Sequence, residues 1–309
     1  MEKKINLFFK KIINDLKEYQ FQSFLIAIIS LNEKNNEIEK PIKRLLGKKL
    51  SDYLKKEVDF KNPDILIQIN LKEKTVGYQI KSLYIYGRYQ KIKAGIPQTK
   101  WKKKIYETSV EEEIGKILLK ITKGTDHSFH GCGREDIDVL NIGNGRPFVI
   151  EIKNPKIRDF DINQAQQEIN KNSTFVKVSN LQLTTKEMIK KIKLASPDKI
   201  YEATVMLERP TTKKELLKAE KFFTNIIISQ NTPTRILRRK KDKTRFKKIY
   251  YFKLIKYHPK TPTFEIKSQS GTYIKELISG DNQRTKPSLS QLLNQNCFVK
   301  KLIVKKIEY

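Results

Sequence analysis

The sequence concentrates three carboxylates within four positions, in the segment Phe129-His-Gly-Cys-Gly-Arg-Glu-Asp-Ile-Asp138. Two glycines precede them and permit a tight turn or the close approach of a ligand. If Ile137 points into the core from a strand, Asp136 and Asp138 project together from the opposite face. Arg134 beside them can hold a phosphate or a carboxylate through two parallel hydrogen bonds. The segment is a candidate catalytic site, with a solvated acidic turn as the alternative interpretation.

A second arrangement of the same carboxylates indicates a different chemistry. Asp138 is followed, on a predicted strand, by Glu151-Ile-Lys153. An Asp and a Glu-x-Lys on paired strands hold Mg²⁺ and orient the attacking water in many metal-dependent nucleases. The pattern is short and often arises by chance, but it keeps a Mg²⁺-dependent nuclease open as an alternative.

A strongly basic segment runs from Thr234 to Lys248, with nine Lys or Arg residues and one acid. It lies between two predicted strands, so we expect a long basic β-hairpin loop. Such a loop can follow a phosphate backbone, and Phe246 can stack on a base. The alternative is a solvated loop. Four of its cations are candidate RNA-binding residues: Arg235, Arg238, Arg239 and Lys240.

The whole chain of 309 residues is basic, with 64 Lys+Arg against 34 Asp+Glu and a formal net charge of +30. An excess of this size indicates a polyanionic partner, most commonly nucleic acid. A membrane surface is the other polyanion, but the sequence has no apolar run of about 18 residues and no N-terminal signal peptide. We therefore expect no membrane association and a cytoplasmic location, and no protein partner can be inferred.

The chain has only two cysteines, Cys132 and Cys297, no CxxC pair and three histidines. These residues cannot form an all-cysteine zinc site or a finger of paired cysteines and histidines. A disulfide framework is equally unexpected, which fits a reducing compartment. We expect neither a metal nor a cofactor.

The elements that position these residues alternate between helices and strands. Residues 4–19 and 38–56 are predicted as helices and residues 23–30 and 64–71 as strands. Gly95 and Pro97 mark a junction, so we predict an N-terminal module over 1–97 and a catalytic domain over 98–309. In the latter, residues 137–140 and 148–152 are predicted as paired strands around a turn at 141–145. Strands outnumber helices, so we expect an α+β fold with helices on a mixed sheet.

Together these segments resemble the pseudouridine synthases, most closely the archaeal and eukaryotic family that modifies uridines 54 and 55 in the T-arm of tRNA. Gly133-Arg-Glu-Asp-Ile-Asp-Val139 resembles the catalytic motif of that family, whose essential residue corresponds to Asp136. Lys199-Ile-Tyr201 resembles the motif whose tyrosine packs against the target base. Ser270-Gly-Thr-Tyr-Ile-Lys275 resembles a third motif of the family. The isoleucine of that motif lines the pocket, and its basic residue pairs with the catalytic Asp. Leu302 resembles the C-terminal pocket leucine.

The resemblance implies a pseudouridine synthase fold, with a mainly antiparallel mixed sheet and flanking helices, and a tRNA T-arm substrate. Asp136, Tyr201 and Lys275 then form the catalytic group, with Ile274 and Leu302 lining the pocket. Asp136 acts as a nucleophile or as a base, and Lys275 keeps it ionised. The target nucleotide must flip out of its stack.

The N-terminal region departs from the family pattern. Family members carry a cysteine-rich zinc site there, whereas this chain has no cysteine before Cys132. The resemblance therefore implies an abbreviated, THUMP-like α/β module for RNA binding, without zinc. A tRNA-binding protein that has lost catalysis is the non-enzyme alternative, and the presence of Asp136, Tyr201 and Lys275 argues against it.

Overall fold

The computed structural model describes residues 2–29, 36–101, 103 and 105–309, without the side chains of residues 36–38 and 239. These residues form two separate sheets, one of four strands and one of ten. Helices pack on both sheets, so the prediction of an α+β fold is confirmed. None of the helices in these ranges combines the length and the hydropathy needed to span a bilayer.

The N-terminal module is built on the smaller sheet, in the strand order β2-β1-β3-β4. Its elements are α1 (Glu2–Leu16), β1 (Ser23–Ile29), α2 (Asn36–Leu54), β2 (Glu57–Val58), β3 (Ile65–Asn70) and β4 (Thr75–Ile80). β1 is parallel to β2 and β3, and β4 is antiparallel to β3. Apolar residues at helical spacing on α1 and α2 cover the sheet and form one core with its alternate residues. The predicted helices and strands of this module are confirmed, except that Ser30 lies outside the described residues.

The larger sheet occupies the rest of the chain. Its first elements are β5 (Leu83–Lys91), α3 (Val110–Thr122), β6 (Asp126–Gly131), β7 (Leu140–Lys153), α4 (Ile162–Asn172), β8 (Val176–Thr184), α5 (Lys186–Leu194), β9 (Lys199–Leu207) and α6 (Lys213–Phe223). They are followed by β10 (Ile226–Gln230), a 3-10 helix (Thr234–Arg239), β11 (Arg245–Lys256), β12 (Thr263–Ser268), α7 (Ile274–Ser279), β13 (Thr285–Lys286), α8 (Leu289–Leu293) and β14 (Cys297–Ile307).

The strand order is β13-β10-β11-β12-β9-β14-β7-β5-β8, with β6 also paired to β7. Among the described strand pairs of this larger sheet, only β14–β7 is parallel. The expectation of a mixed, mainly antiparallel sheet is therefore confirmed. One core lies under β9 to β14 with α6, α7 and α8, and another lies under β5 to β8 with α3 and α4.

The change from one sheet to the other falls between Ile80 and Leu83, earlier than the predicted boundary at residue 97. β5 pairs with β7 on one side and with β8 on the other, so it belongs to the large sheet. Gly95 and Pro97 do interrupt regular structure, but they lie in a turn that follows β5. The module boundary at residue 97 stays a prediction.

The predicted hairpin at residues 137–152 does not form, and this prediction was wrong: residues 140–153 are one continuous strand, β7, and residues 137–139 precede it in a turn. Gly143 and Gly145 have φ of +68° and +69° inside the strand. A Cβ on Gly143 would lie 1.8 Å from the carbonyl oxygen of Lys305, so glycine permits the close approach of β14 there. The glycines therefore form an irregularity at which β7 leaves β14 and continues along β5.

Candidate active site

The acidic segment forms the connection between β6 and β7 rather than a strand, with a turn at Ile137 and Asp138. The side chain of Glu135 is only 2% exposed, whereas that of Asp136 is 36% exposed. One carboxylate of the cluster is therefore buried and the next is partly accessible to solvent. Asp136 is the partly accessible one, in accordance with the role expected for it.

A buried ionic network holds this connection from beneath. Glu135 Oε2 lies 2.7 Å from Nε of Arg146, and both oxygens of Glu135 accept the Tyr89 hydroxyl at 3.0 Å. Lys91 Nζ lies 3.9 Å from Glu135 Oε1 and donates to the backbone carbonyl of Asp136 at 2.9 Å. Burial lowers the pKa of Lys91, while the charge of Glu135 opposes that shift. The network fixes the main chain at the residue that carries the accessible carboxylate.

The nearest cation to Asp136 is Arg235. Its Nη1 lies 2.8 Å from Asp136 Oδ2, while Lys275 Nζ lies 3.5 Å from the same oxygen. Lys275 is closer to Asp138, with 2.7 Å to both carboxylate oxygens. Although partial burial acts to raise the pKa of Asp138, the hydrogen bond and charge of Lys275 lower it. The structure thus brings Lys275 to the site as expected, with Arg235 as an additional cation.

Arg235 is held between two carboxylates. Its Nε lies 2.7 Å from Oε1 of Glu276, whose side chain is 6% exposed, on the first turn of α7. Burial acts to lower the pKa of Arg235, but the hydrogen bond and charge of Glu276 and the charge of Asp136 together raise it. Arg134, by contrast, is exposed and has no hydrogen bond or ion pair to any other residue that the structure describes.

Tyr201 shares a core cluster with the two residues expected to line the pocket. Tyr201 lies on β9 and packs against the core cluster that contains the buried side chains of Ile274 and Leu302. Burial raises the pKa of Tyr201 to about 12, and the charges of Arg146 and Glu135 also act on it. Tyr201 is therefore neutral at pH 7 and lies close to the network that supports Asp136.

The basic segment begins with the 3-10 helix, between antiparallel strands β10 and β11, so the predicted hairpin is confirmed. The backbone N–H of Thr234 donates to Asp281 Oδ2 at 2.8 Å, and Arg284 lies 2.6 Å from Asp242. Arg238 and Lys240 are exposed, and Phe246 is 70% exposed. The side chain of Arg239 lies outside the described residues.

The residues of the nuclease alternative have separate partners. Glu151 accepts the Tyr84 hydroxyl at 3.2 Å, and Lys153 lies 2.8 Å from Asp126. Asp138 is engaged by Lys275. Across the described ranges, no group of three His, Cys, Asp or Glu side chains is placed to hold a metal ion. The geometry thus gives no support to a metal-dependent nuclease.

Sequence reasoning missed the supporting residues of the site. Glu135 was noticed only as part of the acidic cluster, and Arg146, Lys91 and Glu276 were not singled out. Lys91 and Arg146 are charged residues on strands whose other residues are largely apolar, which is the signal that could have indicated a buried ion pair. No local signal marks Glu276, because its partner is 41 residues distant in the chain.

Comparison with known proteins gives one matching family model, described as "Pus10, C-terminal", over residues 84–308. A protein of Methanocaldococcus jannaschii named tRNA pseudouridine synthase Pus10 is 42% identical over an alignment of 334 residues, covering 99% of this chain and 72% of that protein. Its namesake in Thermoplasma acidophilum is 37% identical, with 87% and 69% covered. The one in Ignisphaera aggregans is 40% identical, with 84% and 61% covered.

Among solved structures, a crystal structure of a Cbf5-Nop10-Gar1 complex aligns with a TM-score of 0.45 and 15% identity. The alignment covers 72% of this chain and 48% of the other.

Proposed function

The chain belongs to the Pus10 family, and from this we propose that it is a tRNA pseudouridine synthase acting on uridine 54, uridine 55 or both in the T-arm. The observation that carries the proposal is the placement of Asp136. A partly accessible carboxylate, fixed by a buried network and flanked by two cations, faces a site that also contains a neutral tyrosine. That arrangement supports chemistry on a flipped nucleotide.

The reaction is an isomerisation, so atoms are conserved. The bond from the ribose C1′ to N1 of uracil breaks, a bond from C1′ to C5 forms, the C5 proton leaves, and N1 gains a proton. Asp136 acts as a nucleophile on the nucleotide or as a base, and either role needs the ionised carboxylate. The positive charges of Arg235 and Lys275 favour that form. No metal or cofactor is needed for these steps.

Tyr201, Ile274 and Leu302 are proposed to receive the flipped base. Unstacking a nucleotide costs a few kcal/mol, which contacts in the pocket must offset. The tyrosine ring offers a flat apolar face. Because its pKa is raised to about 12, its hydroxyl keeps the proton at neutral pH and can donate a hydrogen bond or take part in proton transfer. The buried side chains of Ile274 and Leu302 supply apolar walls.

The basic segment is proposed to grip the phosphate backbone of the tRNA. Arg238 and Lys240 are exposed beside the cleft residue Arg235, and the side chain of Phe246 is free to stack on a base. Arg134 is exposed next to Asp136, where it can reach a phosphate of the flipped nucleotide. Phosphate contacts of this kind position the RNA without reading its sequence.

The N-terminal module is proposed as an abbreviated, THUMP-like RNA-binding unit. Between α2 and the β1–β2 edge it has a groove with an apolar floor and a basic rim. The rim is formed by Lys40, Lys43, Arg44 and Lys48, and the side chain of Phe60 is 75% exposed. Basic side chains beside an exposed ring suit an RNA strand. Both cysteines are buried free thiols, which is compatible with the cytoplasmic location that we propose.

The test is incubation of the purified protein with an unmodified tRNA transcript in EDTA, after the tRNA has been folded. Pseudouridine would then be mapped along the transcript by chemical derivatisation and reverse-transcription stops. We expect it in the T-arm at position 54, 55 or both. Pseudouridine only elsewhere would remove the T-arm assignment, and metal-dependent strand cleavage without any pseudouridine would favour the nuclease.

A further inference from the structure

We propose that Arg235 is the principal positioning residue for Asp136, and that the buried carboxylate of Glu276 in turn positions Arg235. This inference rests on the proposed function, because it concerns how the catalytic carboxylate of that reaction is oriented. It gives Arg235 a role inside the active site, in place of the phosphate contact expected from its position in the basic segment.

The contacts of Asp136 are one-sided. Arg235 Nη1 at 2.8 Å and Lys275 Nζ at 3.5 Å both approach Oδ2. Within the described part of the chain, no hydrogen bond reaches Oδ1. The two cations therefore approach the carboxylate most closely at one oxygen, and the proposal assigns the other oxygen, Oδ1, to the substrate.

In this arrangement Glu276 holds Arg235. Its Oε1 lies 2.7 Å from Arg235 Nε, and its buried Oε2 has no hydrogen-bond partner among the described residues. A buried carboxylate with a single cationic partner is costly to maintain. The guanidinium is a planar fork, so a fixed Glu276 at Nε dictates where Nη1 points, which is towards Asp136.

Lys275 is less suited to the same task. Its ammonium is shared with Asp138, to which it is closer, and Asp138 has a side chain that is 69% exposed. Interactions with exposed charges are screened by salt more strongly than those of partly buried pairs. A compact ammonium on a flexible stem also imposes less direction on its partner than a guanidinium does. Arg235, anchored on a buried group, is thus the stronger constraint on Asp136.

The 3-10 helix offers a matched pair of arginines for the test. Arg235 contacts two carboxylates, whereas Arg238, three positions later on the same helix, is exposed and has no carboxylate partner in the described ranges. Substitutions at the two positions remove the same charge from the same element. Only a positioning role predicts that the substitution at Arg235 slows the reaction at saturating tRNA, whereas the substitution at Arg238 weakens tRNA binding.

The experiment measures single-turnover pseudouridine formation at saturating tRNA, and tRNA affinity, for five variants and the unsubstituted protein. Arg235→Met should slow the reaction about 100-fold, because the guanidinium that orients the carboxylate is lost. Arg235→Lys should restore only part of the rate, since one ammonium cannot bridge two carboxylates.

Glu276→Gln keeps both cations but removes the charged anchor of Arg235, so it should slow the reaction about 10-fold or more. Arg238→Met should weaken tRNA binding, whereas Lys253→Met, on an exposed residue of β11, should leave both the saturated rate and the tRNA affinity unchanged. If Arg235→Met kept the original rate at saturating tRNA, the proposal would be overturned. The same holds if Arg235→Lys matched the original rate, because the guanidinium geometry would then be irrelevant.

Two further measurements keep these outcomes interpretable. If Glu276→Gln does not fold, as judged by circular dichroism, the test rests on Arg235→Lys. The side chain of Arg235 is 39% exposed, so its substitution does not disrupt a buried core. If the unsubstituted protein makes no pseudouridine, the proposed function fails, but the positioning can still be tested in the free protein. The carbon-13 chemical shift of the Asp136 carboxyl, assigned with Asp136→Asn, should then change in Arg235→Met and stay the same in Lys253→Met, and an unchanged chemical shift in Arg235→Met would refute the role of Arg235.

Discussion

Glu135 and Asp136 are consecutive in the chain, and their carboxylates lie on opposite sides of the same connection. Glu135 is buried against Arg146, and Asp136 is partly exposed and contacts Arg235. The inner carboxylate fixes the main chain, and the outer one is left partly accessible for chemistry. The three neighbouring acids thus have different partners, with Asp138 engaging Lys275.

The first prediction concerns Glu135→Gln, which keeps the shape but removes the charge. Arg146 and Lys91 would then be buried without a compensating anion, so the free energy of unfolding should fall by about 3 to 5 kcal/mol. Urea unfolding at neutral pH measures this change. Asp138→Asn, on an exposed carboxylate, is the control and should cost about 1 kcal/mol or less. A Glu135→Gln protein as stable as the control would show that the buried network does not support the site.

The second prediction is that the exposed cations of the basic segment bind phosphate. Replacing Arg238, Lys240 and Lys241 with Ala should weaken tRNA binding and reduce the slope of log K against log salt by roughly 0.7 to 0.9 per lost contact. Binding would be measured across a series of salt concentrations. The control replaces Lys253, Lys256 and Lys260, exposed residues at the far end of β11 and beyond it. Equal slopes for the two triple variants would leave the segment without a specific role.

The third prediction concerns Lys199, which is buried and donates to the carbonyl of Pro197 at 2.9 Å. Burial, followed by the charge of Arg146, lowers its pKa to about 8 from 10.5. Between these values the unfolded chain binds a proton that the folded protein has released. The contribution of Lys199 to the free energy of unfolding therefore rises with pH across this window, by at most about 1.4 kcal/mol per pH unit. This contribution is lost as pH falls towards 8.

Lys199→Met should lack this slope. The measurement is urea unfolding of both proteins from neutral pH to about pH 10. The free energy of unfolding of the unsubstituted protein should increase relative to that of Lys199→Met as pH increases. Lys191→Met, at an exposed position on α5, should leave the slope as it is. A Lys199→Met slope equal to that of the unsubstituted protein would mean that Lys199 is not desolvated in the fold.

The sequence allowed the elements with regular periodicity to be predicted, because helix stripes and strand alternation are local properties. α1, β1, α2 and β3 followed from such patterns. β7 did not, since Gly143 and Gly145 are equally suited to a hairpin turn and to an irregular strand. What decides between them is the carbonyl of Lys305, 162 residues further along the chain.

The residues of the candidate site could be named from the sequence where they belong to recognisable motifs, as Asp136, Tyr201 and Lys275 do, and their catalytic roles stay predictions. Arg235 was expected to bind RNA because its neighbours in the chain are basic. Its contacts to Asp136 and Glu276 depend on how the 3-10 helix packs beside α7, and no local pattern encodes that packing. Long-range ion pairs of this kind are visible only once the sheet order is known.

The most direct test of the account compares Asp136→Ala with Asp138→Ala on unmodified tRNA, without metal. Mapped pseudouridine and the tRNA dissociation constant would be measured for both variants and for the unsubstituted protein. We expect no pseudouridine from Asp136→Ala. Its tRNA dissociation constant should lie within about threefold of that of the unsubstituted protein, because affinity comes mainly from many phosphate contacts. Asp138→Ala should retain measurable turnover. Substantial turnover by Asp136→Ala, or loss of activity only in Asp138→Ala, would contradict the assignment of Asp136 as the catalytic residue.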